Sequence, residues 1–111
     1  MAKQIMDINP QDAFKLIKEN IDNPNFVLLD VRAPGEFSES HIEGAILINY
    51  QASDFKNKLQ ELDKTKTYLV YCRSGMRSAG SASTMESLGF QDVYNMVGGI
   101  MEWERRGLPL K

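Results

Sequence analysis

Thr67-Tyr68-Leu69-Val70-Tyr71-Cys72-Arg73-Ser74-Gly75-Met76-Arg77-Ser78 joins a run of β-forming side chains to a turn of small and cationic ones. Thr67 to Tyr71 is rich in β-branched and aromatic residues and predicts a strand. Downstream, Ala79, Ala82, Met85 and Leu88 recur at helical spacing and Gly89 closes the pattern at a C′ position, so a helix follows the turn. A buried strand, a tight turn and a helix in that order are the building unit of a parallel α/β sheet.

Working outward, the same unit recurs. Phe26-Val27-Leu28-Leu29-Asp30 is a continuous apolar run of strand length, as expected for a strand buried on both faces. Ala45-Ile46-Leu47-Ile48 is a second run of this kind, and Asp92 to Val97 is a further short candidate. Lys3 to Met6 reads as an edge strand. Between these lie helical patterns. Asn9 caps a helix with Pro10 at its first position and Asp12 in its first turn, carrying Phe14, Ile17 and Ile21, and Asn23-Pro24-Asn25 breaks it. Ser53-Asp54 caps another that carries Phe55, Leu59 and Leu62. After Gly98-Gly99, a last helix turns Ile100 and Trp103 inward and stops at Gly107 and Pro109. Strands alternating with helices predict one α/β domain over residues 1–111, with a mostly parallel sheet covered on both faces.

At 111 residues and 42% hydrophobic, the chain is long enough to bury one core without disulfides or a structural metal. The net charge of −2 gives no basic footprint for a nucleic-acid partner. No apolar run is long enough to span a bilayer, and Met1 to Asp7 lacks the apolar centre of an export signal. One cysteine permits no internal disulfide and suits a reducing compartment, so a cytoplasmic location is expected. One histidine and one cysteine are too few for a zinc site, and no metal is expected. Gly98-Gly99 lacks the Lys-Ser/Thr that a nucleotide loop requires, and no organic cofactor is implied.

In open α/β sheets ligands collect beyond the carboxyl ends of the strands, and Cys72 stands at such an end. Gly75 allows a left-handed turn there. Successive N–H groups of the turn form a nest for an anion, the following helix adds its positive end, and Arg73 and Arg77 bring two cations. All three favour thiolate over thiol and make Cys72 the candidate nucleophile, with Arg73, Ser74, Gly75, Met76, Arg77 and Ser78 around it. The plainer reading is a packed hydrophobic cysteine flanked by two solvated arginines. Asp30 and Arg32 fall at the exit of a central strand. They either orient the cysteine loop or form an ion pair that pins the loops together, and the cost of burying charge favours the pair.

Three signatures in order resemble those of the rhodanese family: Asp30-Val31-Arg32 with Glu36-Phe37 and His41-Ile42-Glu43-Gly44-Ala45; the Cys72 to Ser78 loop; and Gly98-Gly99-Ile100, Trp103 and Gly107-Leu108-Pro109. The resemblance runs from about Asp7 to the C-terminus. It implies a rhodanese-like three-layer domain with a five-stranded sheet between helices. It also implies sulfurtransferase chemistry through a persulfide on Cys72. Small sulfur donors (thiosulfate, a persulfide or a polysulfide) and a cyanide or thiol acceptor, including a protein thiol, are the partners it suggests. It places His41 in a structural turn.

Four residues separate Cys72 from Arg77. The resemblance links this shorter loop to sulfur transfer, whereas phosphatases and arsenate reductases of the same fold use a loop one residue longer. Physically, a wider ring of donors is needed for a tetrahedral oxyanion than for one sulfur atom. A docking or regulatory module is the other role such domains take, usually without the cysteine. Ser74 stands where efficient thiosulfate users often carry a basic residue, and Glu36 where they can carry an arginine. A carboxylate there repels a dianionic donor, which makes a persulfide or polysulfide the better expected substrate. Ser40 replaces a usual glycine, a change expected to be local.

Overall fold

The computed structural model describes residues 4–111. Five strands, β1 (Gln4–Ile8), β2 (Phe26–Asp30), β3 (Ile46–Leu47), β4 (Thr67–Tyr71) and β5 (Asp92–Met96), form one sheet in the order β1-β5-β4-β2-β3. Every neighbouring pair is parallel. All five strands therefore end on the same rim, and the connections must carry helices: α1 (Pro10–Glu19), α2 (Pro34–Glu39), α3 (Phe55–Gln60), α4 (Met76–Ser87) and α5 (Gly99–Arg105). The expected α/β architecture, a parallel five-stranded sheet flanked by helices, is observed. Among the described residues no helix is long and apolar enough to cross a membrane.

The two cores show why the apolar runs are continuous. Successive side chains of a strand point to opposite faces. Leu28, Leu69 and Tyr71 join Ala13, Ile42, Met96, Ile100 and Trp103 in the layer under α1 and α5. Leu29, Tyr68, Val70 and Cys72 join Phe55, Leu59, Ala82, Met85 and Phe90 in the layer under α3 and α4. Trp103 is fully buried, its ring edge-on to Phe14 and its indole N–H donating to the Pro109 carbonyl at 2.8 Å.

Several local expectations hold in detail. The Asn9 side chain accepts from the Asp12 amide at 2.8 Å, and Gly89 adopts a left-handed φ of 98° after α4. Others are corrected. α1 stops at Glu19, leaving Ile21 exposed beyond it. The run from Ala45 to Ile48 contributes only Ile46 and Leu47 to the sheet, because β3 is an edge strand with a single neighbour. The inner face of α4 is Ser78, Ser81, Ala82 and Met85, whereas Ala79 is exposed. α2 had no counterpart in the sequence reading. Of the edge strand expected from Lys3 to Met6, the part at Lys3 lies outside the described residues, and the strand itself runs from Gln4 to Ile8.

Candidate functional site

β4 lies between β5 and β2, near the middle of the sheet, and Cys72 is the first residue beyond it. The chain turns at once. Gly75 takes a φ of 106°, which an L side chain rarely adopts, and this hands the chain directly into α4. Folding the loop back brings the Gly75 N–H to 3.0 Å from Cys72 Sγ. Cys72 Sγ also lies 3.5 Å from the Ser78 hydroxyl. The cysteine is 1% exposed, so its sulfur forms the floor of the loop. Among the described residues Gly75 is the one main-chain donor to that sulfur. The amides of Met76, Arg77 and Ser78 open α4, where no preceding turn supplies carbonyl partners.

The far side of the loop is fixed by α5. The Cys72 carbonyl accepts from the Ile100 N–H at 2.9 Å and the Arg73 carbonyl from the Met101 N–H at 3.0 Å. These bonds satisfy two amides at the start of α5. Because a trans peptide sets its N–H opposite its carbonyl, they also turn the Arg73 and Ser74 amides away from α5.

The remaining loop residues divide by exposure. Arg73, Ser74 and Met76 are exposed, Met76 by 82%, and Arg73 Nε rests 3.5 Å from Met101 Sδ. Arg77 turns to α2. Its Nη1 and Nη2 donate to Glu36 Oε1 and Oε2 at 2.9 and 3.0 Å, while Glu36 Oε1 also accepts from the Ala33 N–H at 2.9 Å. Chiefly through the Arg77 hydrogen bonds, the Glu36 carboxyl is pulled down to about 2. Glu36, read from the sequence as a carboxylate that repels a dianionic donor, thus neutralises one of the loop's two cations.

Asp30 and Arg32 form a buried fork. Arg32 Nη2 lies 2.8 Å from Asp30 Oδ2, its Nε contacts both carboxylate oxygens at 3.0 Å, and its other Nη2 bond goes to the Ser40 carbonyl at 2.7 Å. This is the pinning arrangement that the cost of buried charge favoured. Ser40 is extended, with φ −169° and ψ 151°, a conformation that needs no glycine. Next to this fork Tyr71 is fully buried and its phenol is shifted upward by desolvation; its oxygen accepts from the Ile42 N–H at 3.1 Å. His41 stacks on Phe37 at 3.9 Å, with Nδ1 2.9 Å from the Phe37 carbonyl, and among the described residues its ring makes no hydrogen bond to the cysteine loop.

Asn95 of β5 was missed in the sequence. It is 4% exposed and its Oδ1 lies 2.6 Å from Ser78 Oγ. A polar residue inside the otherwise apolar Val93-Tyr94-Asn95-Met96 was the available signal. An apolar cavity of about 410 Å³ lies elsewhere, with Phe14, Ile17, Leu28 and Trp103 in its walls and none of residues 72–78.

A strand-end cysteine under a six-residue loop is a specific arrangement, and comparison with known proteins tests what it belongs to. The family model described as "Rhodanese-like domain" matches residues 13–106. The chain belongs to the rhodanese-like domain family. A sulfurtransferase of Allochromatium vinosum is 30% identical over 103 residues, covering 93% of this chain and 94% of that protein. A tRNA uridine(34) hydroxylase of Yersinia pestis is 32% identical over 105 residues, but the match covers only 29% of its length. Among solved structures, a rhodanese-related protein of Thermoplasma volcanium superposes with a TM-score of 0.78 at 33% identity, covering 96% of this chain and 97% of its own.

Proposed function

We propose that this rhodanese-like domain is a sulfurtransferase that carries sulfane sulfur on Cys72. The observation that supports the reading best is the sulfur at the floor of the loop, with the Gly75 N–H directed at it from 3.0 Å and the open amides of α4 beside it. Such donors stabilise negative charge as it develops on sulfur. In the first step the Cys72 thiolate attacks the outer sulfur of a donor. The Sγ–S bond forms, the bond to the rest of the donor breaks, and its electron pair leaves with that remainder. In the second step a thiol or cyanide attacks the outer sulfur, and Cys72 departs as thiolate. The turnover needs no oxidant, because sulfane sulfur is only passed along. Arg73 is the exposed cation of the loop and Arg77 is paired, which favours a singly charged persulfide over dianionic thiosulfate as donor.

Intact-mass measurement after incubation with polysulfide, and separately with thiosulfate, tests the reading. The parent protein gains one sulfur atom, which cyanide or a small thiol removes, and Cys72→Ala gains none. A protein that takes up no sulfur from either donor, or a Cys72→Ala variant that still does, would sink the proposal.

A further inference from the structure

The Cys72 sulfur is the inner end of a chain of polar groups, running out to the surface, that no part of the mechanism above uses. Ser78 Oγ lies 3.5 Å from Sγ, 3.1 Å from the Gly75 carbonyl and 2.6 Å from Asn95 Oδ1. Asn95 Nδ2 in turn donates to Asp7 Oδ1 at 3.2 Å. Ser78 and Asn95 are buried, and Asp7 is exposed at the surface of β1.

Counting protons along this chain gives it a direction. An ionised carboxylate only accepts, so Asp7 requires the nitrogen of the Asn95 amide and leaves its oxygen for Ser78. A hydroxyl has one proton. The shortest contact, 2.6 Å, commits that proton to Asn95 Oδ1, so Ser78 turns a lone pair toward the sulfur. Facing a thiol, that lone pair accepts the S–H. Facing a thiolate, it repels, unless the hydroxyl swings round and leaves the buried Asn95 oxygen without a donor.

We infer that Asn95, with its amide orientation set by Asp7, is a positioning residue that controls through Ser78 how readily Cys72 gives up its proton. The inference rests on Cys72 being the nucleophile. Asp7 acts from β1, across β5, on a reaction at the end of β4, without touching substrate. The other charged groups around the sulfur are Arg73 in the loop, Arg77 of α4 with its partner Glu36 of α2, and Asp30 paired to Arg32. None of them is part of this chain of bonds.

Alkylation of Cys72 by iodoacetamide, followed by intact mass across a pH series, reads the effect without any sulfur donor. Asp7→Ala frees the Asn95 amide to flip, and Asn95→Leu removes the acceptor. Either change frees the Ser78 proton from Asn95, and a thiolate, being charged, competes for it better than the neutral Gly75 carbonyl 3.1 Å away. The alkylation profile is expected to move to lower pH, with the rate on its acid limb rising about tenfold, the lower end of what a hydrogen bond to an ionised group brings. In a Ser78→Ala background Asp7→Ala is expected to change nothing. Superimposable profiles for Asp7→Ala and the parent, or a shift that survives Ser78→Ala, would overturn the inference. Because the assay needs no donor, a failure to form the persulfide would leave this result standing and count only against sulfur transfer.

Discussion

Gly99 lies against the Arg73 carbonyl so closely that a methyl group built on it would sit 2.3 Å from that oxygen and 2.6 Å from the Cys72 oxygen. The contact is made by backbone, with Gly99 at a φ of 62°, and it is this approach that lets α5 donate to both carbonyls of the cysteine loop. Gly98-Gly99, which the sequence excludes as a nucleotide loop, is the buttress of the cysteine loop.

Gly99→Ala tests the buttress. The left-handed backbone alone costs about 1–2 kcal/mol for an alanine. The methyl group adds a clash that only a backbone shift relieves. Sulfur transfer is expected to fall about a hundredfold, as for other small displacements of a reacting group. Thermal unfolding should show a folded protein with a lowered midpoint. Full turnover in this variant would mean that loop position does not depend on α5.

Glu36→Gln tests donor selectivity. Losing the carboxylate unmasks the Arg77 charge beside the loop. The KM for thiosulfate is expected to fall about threefold at low ionic strength and to converge on the parent value as salt is added. An alkyl persulfide donor, with one charge rather than two, should respond less. An unchanged ratio between the two donors would show that Glu36 does not select between them.

The same pair makes a prediction for acid. Folding lowers the Glu36 carboxyl from its ordinary 4.5 to about 2. A carboxylate depressed in this way stabilises the fold fully above its unfolded value and ceases to as pH falls through the folded one. The contribution is therefore complete above pH 4.5 and vanishes between there and about pH 2. For a pair this exposed it amounts to about 1 kcal/mol or less. Urea unfolding across that window should show a shallower acid slope in Glu36→Gln than in the parent, and identical slopes would contradict the assignment.

Asp30→Asn leaves the Arg32 guanidinium buried beside a neutral amide. Removing one partner of a buried pair costs about 3–5 kcal/mol, a large share of a small domain's stability. Replacing both, with Asp30→Leu and Arg32→Met together, should cost much less. Denaturant midpoints for the three proteins decide it: a double variant no better than the single would show that the fork does more than satisfy its own charges.

What could be read from the sequence was set by how local its cause is. Phe26 to Asp30 and Thr67 to Tyr71 were legible because strands buried on both faces must be continuously apolar, and Cys72 with Gly75 was legible because a turn and its nucleophile are adjacent. α2 was not, since it buries no side chain and Ala33 offers no capping oxygen. The inner face of α4 was misread because two of its residues, Ser78 and Ser81, are hydroxyls. The pairing of Arg77 with Glu36 and of Asn95 with Asp7 joins residues 41 and 88 positions apart, and nothing in a single chain's pattern announces such a match.

The 1% exposure of Cys72 gives the empty and the laden carrier different standing toward the solvent. An added sulfur lies about 2.05 Å from the atom it is bound to, and the open side of the loop is the room left for it. On the proposed chemistry, the bare sulfur meets only reactants slender enough to enter the loop, while the cargo atom rides nearer the mouth, where a bulkier incoming thiol can collect it. Shelter and delivery then come from one depth, without a moving lid.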